Sequence, residues 1–177
     1  IHWFSTIEIN NKQAILLIIF SVLVLFSPLL FFGKILLDGD ATYGAYPLAY
    51  FFSHFAGSPI NQFNFSGYPV ALGFQFGYFH PVYNLVFRFF DFIFAFHFLV
   101  FLDYALAGVF TYFFSRKLGL SIYASILSSL AYTFSQFSMA WISLLTIAKA
   151  VFLLPAVFYS MLEIANLKRK YIQYPNP

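Results

Sequence analysis

The chain has 177 residues, of which 62% are hydrophobic, 24% aromatic and only 8% charged, with a net charge of +3. Soluble domains carry roughly 25% charged residues, so this composition cannot build a water-facing surface. The many aromatics exclude a disordered chain, and the lack of cysteine excludes disulfides and thiolate metal sites. The sequence therefore predicts an all-α, polytopic membrane helix bundle. Its partner is the lipid bilayer, and its basic residues mark one side of that bilayer without requiring a nucleic-acid partner.

Four segments are apolar and long enough to cross a bilayer, for which a helix needs about 20 residues. They cover residues 14–32, 85–114, 121–141 and 147–165. The first is long for the apolar part of a signal peptide and lacks a small-residue cleavage site, so we interpret it as a retained span. The second is too long for one perpendicular span. Either it tilts, or its first turns form a separate short helix at the interface.

The third segment is unusual for its hydroxyl groups. Ala124 with Ser128, and Ser125 with Ser129, are pairs of small residues four apart. Such pairs allow two helix backbones to approach closely in a membrane. We interpret the segment as a helix buried in the middle of the bundle rather than as the lining of a polar pore.

Basic residues orient the bundle. Lys12, the pair Arg116 and Lys117, and the run at 168–170 fall at alternate ends of the four spans, so all lie on one side. By the positive-inside rule that side is cytoplasmic. We therefore expect a plasma-membrane protein with both ends of this chain in the cytosol. Residues 33–81 then form a long first extracytoplasmic loop.

Acidic residues inside a span are functional hypotheses by default, because buried charge is costly in a bilayer. Asp103 lies deep in the second span, six residues after His97. No second carboxylate lies at matching depth, so we favour a packing role in which Asp103 is protonated or hydrogen-bonded to the serine-rich third segment. Asp91 lies three residues after Arg88, a spacing that favours a local ion pair.

Asp38 and Asp40 flank Gly39 directly after the first span, at the outer boundary of the bilayer. Two carboxylates around a flexible glycine can point toward one divalent cation or one reacting hydroxyl. They can equally form an interfacial turn in which aspartate caps the next helix, and their spacing alone does not separate these alternatives. The rest of the loop is rich in Tyr and Phe, which favours amphipathic helices lying on the membrane surface.

Several short motifs follow one another through the loop and the later spans. They are GD at 39–40, YP at 46–47, NFSGYP at 64–69, GYFHPVYN at 77–84, LAGVFTYFFSRKLGL at 106–120 and LAYTFS at 130–135. In order and spacing they resemble YfhO-type bacterial membrane proteins, a family similar to the GT-C membrane glycosyltransferases. The likeness runs from about Leu37 to Lys170.

The resemblance implies a multi-helix membrane fold of which residues 1–177 form the N-terminal part, since family members are much longer. It implies transfer of a sugar from a polyprenyl-phosphate donor to a cell-envelope glycan or lipid acceptor on the extracytoplasmic side. An acidic residue of the first outer loop then acts as catalytic base or contacts a divalent metal. Asp40 matches that position best, and Asp38 is second.

Inverting transfer also needs groups that stabilise the departing phosphate. The orientation of the spans places Lys149 and Arg88 near the outer face, and His80 is a candidate for orienting the acceptor or a phosphate. For Lys149 the alternative is a side chain that snorkels to the lipid headgroups. Two other classes of protein stay open. One is a transporter or flippase with a path along Asp103, His97 and the third segment, and the other is a non-catalytic membrane assembly protein.

Overall fold

The structure is a computed structural model that describes residues 9–55, 58–63, 66–69 and 80–173, with side chains up to residue 166 except at positions 145, 146 and 148. This part of the chain is helical, apart from turns and one isolated β-bridge between Asn61 and Tyr68. The all-α prediction is therefore confirmed for these residues. The helices are α1 (Asn11–Phe31), α2 (Tyr46–His54), α3 (Pro81–Phe89), α4 (Phe92–Lys117), α5 (Ile122–Thr133), α6 (Gln136–Ala140) and α7 (Leu145–Gln173), with a π-helical turn (Ala41–Ala45) leading into α2.

Three helices of the described residues are long and apolar enough to cross a membrane. They are α1, α4 and the part of α7 from Lys149 to Asn166. They overlap the segments predicted at 14–32, 85–114 and 147–165. Helices of this length and composition indicate a multi-pass membrane protein.

The segment predicted as one continuous span at 121–141 is divided instead. α5 ends at Thr133, and α6 begins after Ser135, whose hydroxyl accepts a hydrogen bond from the backbone N–H of Ser138. A serine side chain that bonds nearby backbone groups competes with the helical hydrogen-bond pattern. The segment is therefore not one continuous helix, and each piece alone is shorter than a bilayer crossing requires.

The second predicted span also consists of two helices, so its first turns do form a separate short helix. Asp91 separates them and caps α4 by accepting a hydrogen bond from the backbone N–H of Ile93 at 3.0 Å. The predicted ion pair between Arg88 and Asp91 is wrong. In the part of the chain that the structure describes, the one ion pair joins Lys117 to Glu163.

The loop predicted at 33–81 is partly described. It contains a helical segment from Gly39 to His54, in agreement with the expectation of helices there. Loop residues 56–57, 64–65 and 70–79 lie outside the described residues, as do the side chains of the basic run at 168–170.

α4 contacts most of the other helices and sets their direction. α7 runs parallel to it, since Lys117 pairs with Glu163 at 2.6 Å and, about two turns earlier on α4 and three turns earlier on α7, Phe110 packs against Phe152. The two helices therefore pack side by side in the same direction along this part of their length.

α1 and α5 run antiparallel to α4. The Tyr112 hydroxyl donates to Asn11 Oδ1 at 2.6 Å near the start of α1, while Phe101 packs against Phe26 near its end. α5 and then α6 return the chain along α4, from the Lys117 end toward the start of α7. Since α4 and α7 are parallel, this return is geometrically required.

Three helices meet at Gly108 of α4. A Cβ added there would lie 2.6 Å from Ile18 Cγ2 in α1 and 3.1 Å from Thr133 Oγ1 in α5. The Ser129 hydroxyl donates to the Gly108 carbonyl at 2.8 Å, and Ser125 is fully buried. The prediction that small serine residues let this helix pack closely in the bundle is confirmed for Ser125 and Ser129.

Replacing Gly108 with valine should destabilise the bundle, because the new side chain enters space that Ile18 and Thr133 occupy. Overpacking of this kind costs about 1–3 kcal/mol, measurable as a lower midpoint of thermal unfolding in detergent micelles. Gly44→Val is the matched control, since a Cβ at Gly44 meets no atom within 4 Å. Equal losses in the two variants would contradict the close packing at Gly108.

Candidate functional site

A polar cluster joins α3, α4 and α7. It consists of His80, Tyr83, Asp103 and Lys149, and is called the Tyr83 cluster here. The Tyr83 hydroxyl donates a hydrogen bond to Asp103 Oδ2, and both residues are only 3% exposed. Lys149 Nζ lies 3.7 Å from the centroid of the Tyr83 ring, within the range of a cation–π contact. The His80 ring lies 4.7 Å from the same ring between centroids, so Tyr83 contacts all three other members.

The local sequence explains why Tyr83 reaches the cluster. Pro81 occupies the first turn of α3, where its missing N–H costs nothing. Tyr83, Val86 and Phe87 follow at spacings of three and four and form the buried face of the helix. Arg88 lies on the exposed side. α3 therefore directs Tyr83 into the bundle and Arg88 away from it.

Asp103 is satisfied by Tyr83 rather than by the serines of the third predicted segment. The prediction of a serine partner is wrong, because the partner comes from α3, a helix that precedes α4 in the chain. Burial, together with the adjacent Asp103 carboxylate, raises the pKa of Tyr83. The tyrosine hydroxyl therefore keeps its proton near neutral pH and remains a donor to Asp103.

Tyr104 attaches α6 to α4 next to the Tyr83 cluster. Its fully buried side chain donates a hydrogen bond to the backbone carbonyl of Ser138 in α6. This bond holds α6 against α4 directly beside Asp103. Sequence reasoning did not single out Tyr83 or Tyr104. Their positions could have identified them. Tyr83 lies on the apolar face of a short helix, and Tyr104 directly follows a buried aspartate.

Lys149 is partly buried, and its ammonium is directed to the face of the Tyr83 ring. Among the described residues its N–H groups have no hydrogen-bond acceptor, and the Asp103 carboxylate is more than the 4.0 Å of an ion pair away. An ammonium has three donors, so those of Lys149 are available to a ligand. Contact with Tyr83 argues against a side chain that extends to lipid headgroups.

His80 borders the cluster at the start of α3. Burial lowers its pKa, and the positive charge of Lys149 lowers it further. The imidazole is therefore neutral at pH 7, with one nitrogen as donor and one as acceptor. Its Nδ1 is buried without a hydrogen-bond partner in the described part of the chain.

The two loop aspartates differ in their surroundings. Asp38 Oδ1 accepts a hydrogen bond from the backbone N–H of Ala41 at 2.7 Å and so caps the helical segment that leads into α2. The capping alternative is confirmed for Asp38. Asp40 is exposed, and its carboxylate has no hydrogen-bond or ion-pair partner among the described residues.

The predicted site residues thus fall into two groups. The structure brings His80 and Lys149 together around Tyr83. No hydrogen bond or ion pair of the described residues connects Asp38, Asp40 or Arg88 to them. Nor do three His, Asp or Glu side chains gather anywhere in that part of the chain as a metal site would require.

A second polar contact holds the loop to α4 nearer its start. The Tyr46 hydroxyl accepts a hydrogen bond from the backbone N–H of Leu36 at 3.0 Å and lies 3.0 Å from His97 Nε2. His97 is fully buried, and the ring of Phe96 also packs against Tyr46. His97 therefore takes part in docking the beginning of the loop onto α4.

No protein-family model matches the chain, and neither curated proteins nor solved structures give a match. The class of protein therefore rests on the helices of the chain itself. They are those of a multi-pass helical membrane protein, with a buried polar cluster between α3, α4 and α7.

The His80 imidazole should titrate below its ordinary pKa of 6.5. Lys149→Met should raise the pKa of His80 toward that value without fully restoring it, because removing the positive charge leaves the burial in place. Lys149→Arg keeps the charge and should leave the pKa low. Histidine ring NMR across pH 4–8 measures this, with His80→Gln assigning the resonance. Identical titration in the wild type and Lys149→Met would show that the two groups are not adjacent.

Proposed function

We propose that the chain is part of a multi-pass membrane glycosyltransferase of the GT-C type. It transfers a sugar from a polyprenyl-phosphate donor to a cell-envelope acceptor on the extracytoplasmic side. The motifs that resemble YfhO-type proteins supply the class. The observation that carries the proposal is the free, exposed carboxylate of Asp40, next to an Asp38 that is already used as a helix cap.

In this proposal Asp40 is the general base that takes the proton of the acceptor hydroxyl. A base must be unpaired and reachable from solvent or substrate, and Asp40 meets both conditions. Asp38 has a supporting role, since its cap fixes the turn that presents Asp40. If a divalent metal takes part, Asp40 is the available ligand of the two.

Lys149 and His80 are assigned to the phosphate side of the reaction. Their support is the geometry of the Tyr83 cluster, where a cation with free donors lies near a neutral imidazole. A positioned cation stabilises the charge that develops on a departing phosphate. Arg88 is exposed on α3 and is assigned to phosphate groups at the membrane surface.

The proposal includes four crossings: α1, α4, the pair α5 and α6, and α7. The parallel direction of α4 and α7 supports this, because the chain must return between them. The basic residues then mark the cytoplasmic side. With them there, residues 33–81 face outward and both ends of the chain face the cytosol.

A transporter or flippase is the less supported alternative. Its path would run along Asp103, His97 and the third segment. Asp103 and His97 are instead held by Tyr83 and Tyr46, and the Ser129 hydroxyl is bonded to the backbone of α4. Asp103, the Ser129 hydroxyl and one of the two ring nitrogens of His97 are thus engaged in packing contacts and offer less to a passing solute.

Asp40→Asn should reduce sugar transfer by about 100-fold or more, the contribution typical of a general base. Asp38→Asn is the matched control and should keep near wild-type transfer, because asparagine caps a helix as well as aspartate does. Transfer is measured in membrane vesicles with polyprenyl-phosphate sugars as donors, at protein levels matched by immunoblot. Full transfer by Asp40→Asn would remove Asp40 from the mechanism.

The orientation can be tested directly because the chain has no cysteine. A cysteine at Asp40 should react with a membrane-impermeant maleimide in intact cells. Leu118 is exposed at the C-terminal end of α4, on the side predicted to be cytoplasmic, so Leu118→Cys should react only after permeabilisation. The reverse pattern would overturn both the topology and the extracytoplasmic reaction.

A further inference from the structure

We infer that Tyr83 and Asp103 are positioning residues that hold the Lys149 ammonium for the phosphate of a lipid-linked donor. The identity of this ligand rests on the proposed function. The arrangement of the three side chains does not. It follows from the contacts of the Tyr83 cluster, in which a carboxylate of α4 fixes a tyrosine of α3, and the tyrosine ring receives a lysine of α7.

A lysine at this place needs a partner to hold it. Its side chain is a flexible four-carbon stem. The part of α7 from Lys149 to Asn166 is apolar, and only 11% of it is buried within the protein. Left alone, the ammonium would extend toward headgroup water. The contact with the Tyr83 ring at 3.7 Å keeps it against α3 instead.

The ring can do this because it is itself fixed. Tyr83 is almost fully buried, and its hydroxyl is tied to Asp103 at the opposite end of the side chain from the backbone. The tyrosine is therefore held at both ends, and its face is presented in one orientation. Asp103 acts on Lys149 through Tyr83, whose ring it holds in place.

The Tyr83 ring keeps the Asp103 carboxyl group and the Lys149 ammonium out of a direct ion pair, and this has a chemical consequence. A direct ion pair would occupy the donors of Lys149 and neutralise its charge. With Asp103 bonded to Tyr83, the ammonium keeps its donors free among the described residues. Phosphate oxygens are strong acceptors for such donors, and hydrogen bonds between ionised partners are the stronger kind.

The position along the helices agrees with this ligand. Lys149 lies four residues after Leu145, where α7 begins, which is about 6 Å along the axis. In the proposed topology this is the outer end of the bundle, where a lipid-borne phosphate lies. His80 adds a neutral imidazole with an unpaired Nδ1 at the same cluster.

The test is a binding cycle on the purified protein in phosphatidylcholine nanodiscs. The probe is farnesyl phosphate, a short polyprenyl phosphate without sugar. Lys149→Met should weaken binding about tenfold or more, the loss expected for a hydrogen bond to a charged group, and Lys149→Arg should restore part of it. Tyr83→Leu should weaken binding as well, because it removes the ring that holds Lys149.

The double variant Tyr83→Leu with Lys149→Met decides between positioning and general damage. If Tyr83 acts through Lys149, the double variant should bind no more weakly than Lys149→Met alone. Tyr83→Phe keeps the ring but loses the bond to Asp103, and Asp103→Asn changes the same bond from the other side. Both should weaken binding less than Tyr83→Leu does, with thermal midpoints measured in parallel to exclude unfolding.

Two further arms identify the source of the phosphate. Inorganic phosphate and phosphatidylglycerol nanodiscs are compared with farnesyl phosphate in the wild type and Lys149→Met. Dependence on Lys149 and Tyr83 with farnesyl phosphate or inorganic phosphate supports the inference, the first for a lipid-linked and the second for a free phosphate. Three results would overturn it: no binding of any probe by the wild type, binding insensitive to Lys149→Met, or additive losses in the double variant.

The outcome is separable from that of the proposed function. If Asp40→Asn retains full sugar transfer while the binding cycle behaves as expected, the assignment of Asp40 fails and the positioning of Lys149 stands. If transfer depends on Asp40 but binding ignores Lys149, the positioning fails and the glycosyltransferase proposal stands.

Discussion

The burial of Asp103 is the constraint on which the surrounding arrangement depends. A carboxylate inside an apolar helix is costly unless it is hydrogen-bonded or paired. Tyr83 meets this need and thereby brings α3 against α4. The Lys149 ammonium lies over the ring of the same tyrosine, so α7 contacts α3 at the same place. The need to satisfy the buried carboxyl group of Asp103 thus helps determine where α3 and α7 lie against α4.

Polar contacts have this influence because lipid removes the usual driving force. The hydrophobic effect does not hold helices together when lipid tails are as apolar as the side chains, so close packing and hydrogen bonds decide which faces meet. α4 has such a bond to several of its neighbours. The Tyr112 hydroxyl donates a hydrogen bond to α1, and the Tyr104 hydroxyl donates one to α6. The Gly108 carbonyl accepts one from Ser129 of α5.

Much of the fold could be predicted from the sequence, because length and apolar composition alone define a spanning helix. The breaks could not. A hydropathy argument averages over about 20 residues. It does not detect a single serine hydroxyl that accepts a hydrogen bond from a nearby backbone N–H, as Ser135 does from Ser138. The site was predictable in part. Lys149 and His80 follow from the expected outer side, but their meeting at Tyr83 depends on the direction of α3, which no local pattern contains.

The two aspartates of the loop show the same limit. Their spacing in the sequence does not distinguish Asp38 from Asp40. In the fold the Asp38 carboxylate accepts a hydrogen bond from the backbone N–H of Ala41, whereas the Asp40 carboxylate has no partner among the described residues. The partner of Asp103 was misjudged for a related reason. The serines were expected to face Asp103, but the hydroxyls of Ser128, Ser129 and Ser138 donate to backbone carbonyls instead.

α4 and α7 are joined at two levels, and both joints have the same offset in sequence. Lys117 meets Glu163, and Asp103 meets Lys149 across the tyrosine, so the offsets are 163 − 117 = 46 and 149 − 103 = 46. The joints are 14 residues, or about 21 Å, apart along the axis. Two contacts at this separation oppose a shift of α7 along α4, because such a shift would separate both pairs at once.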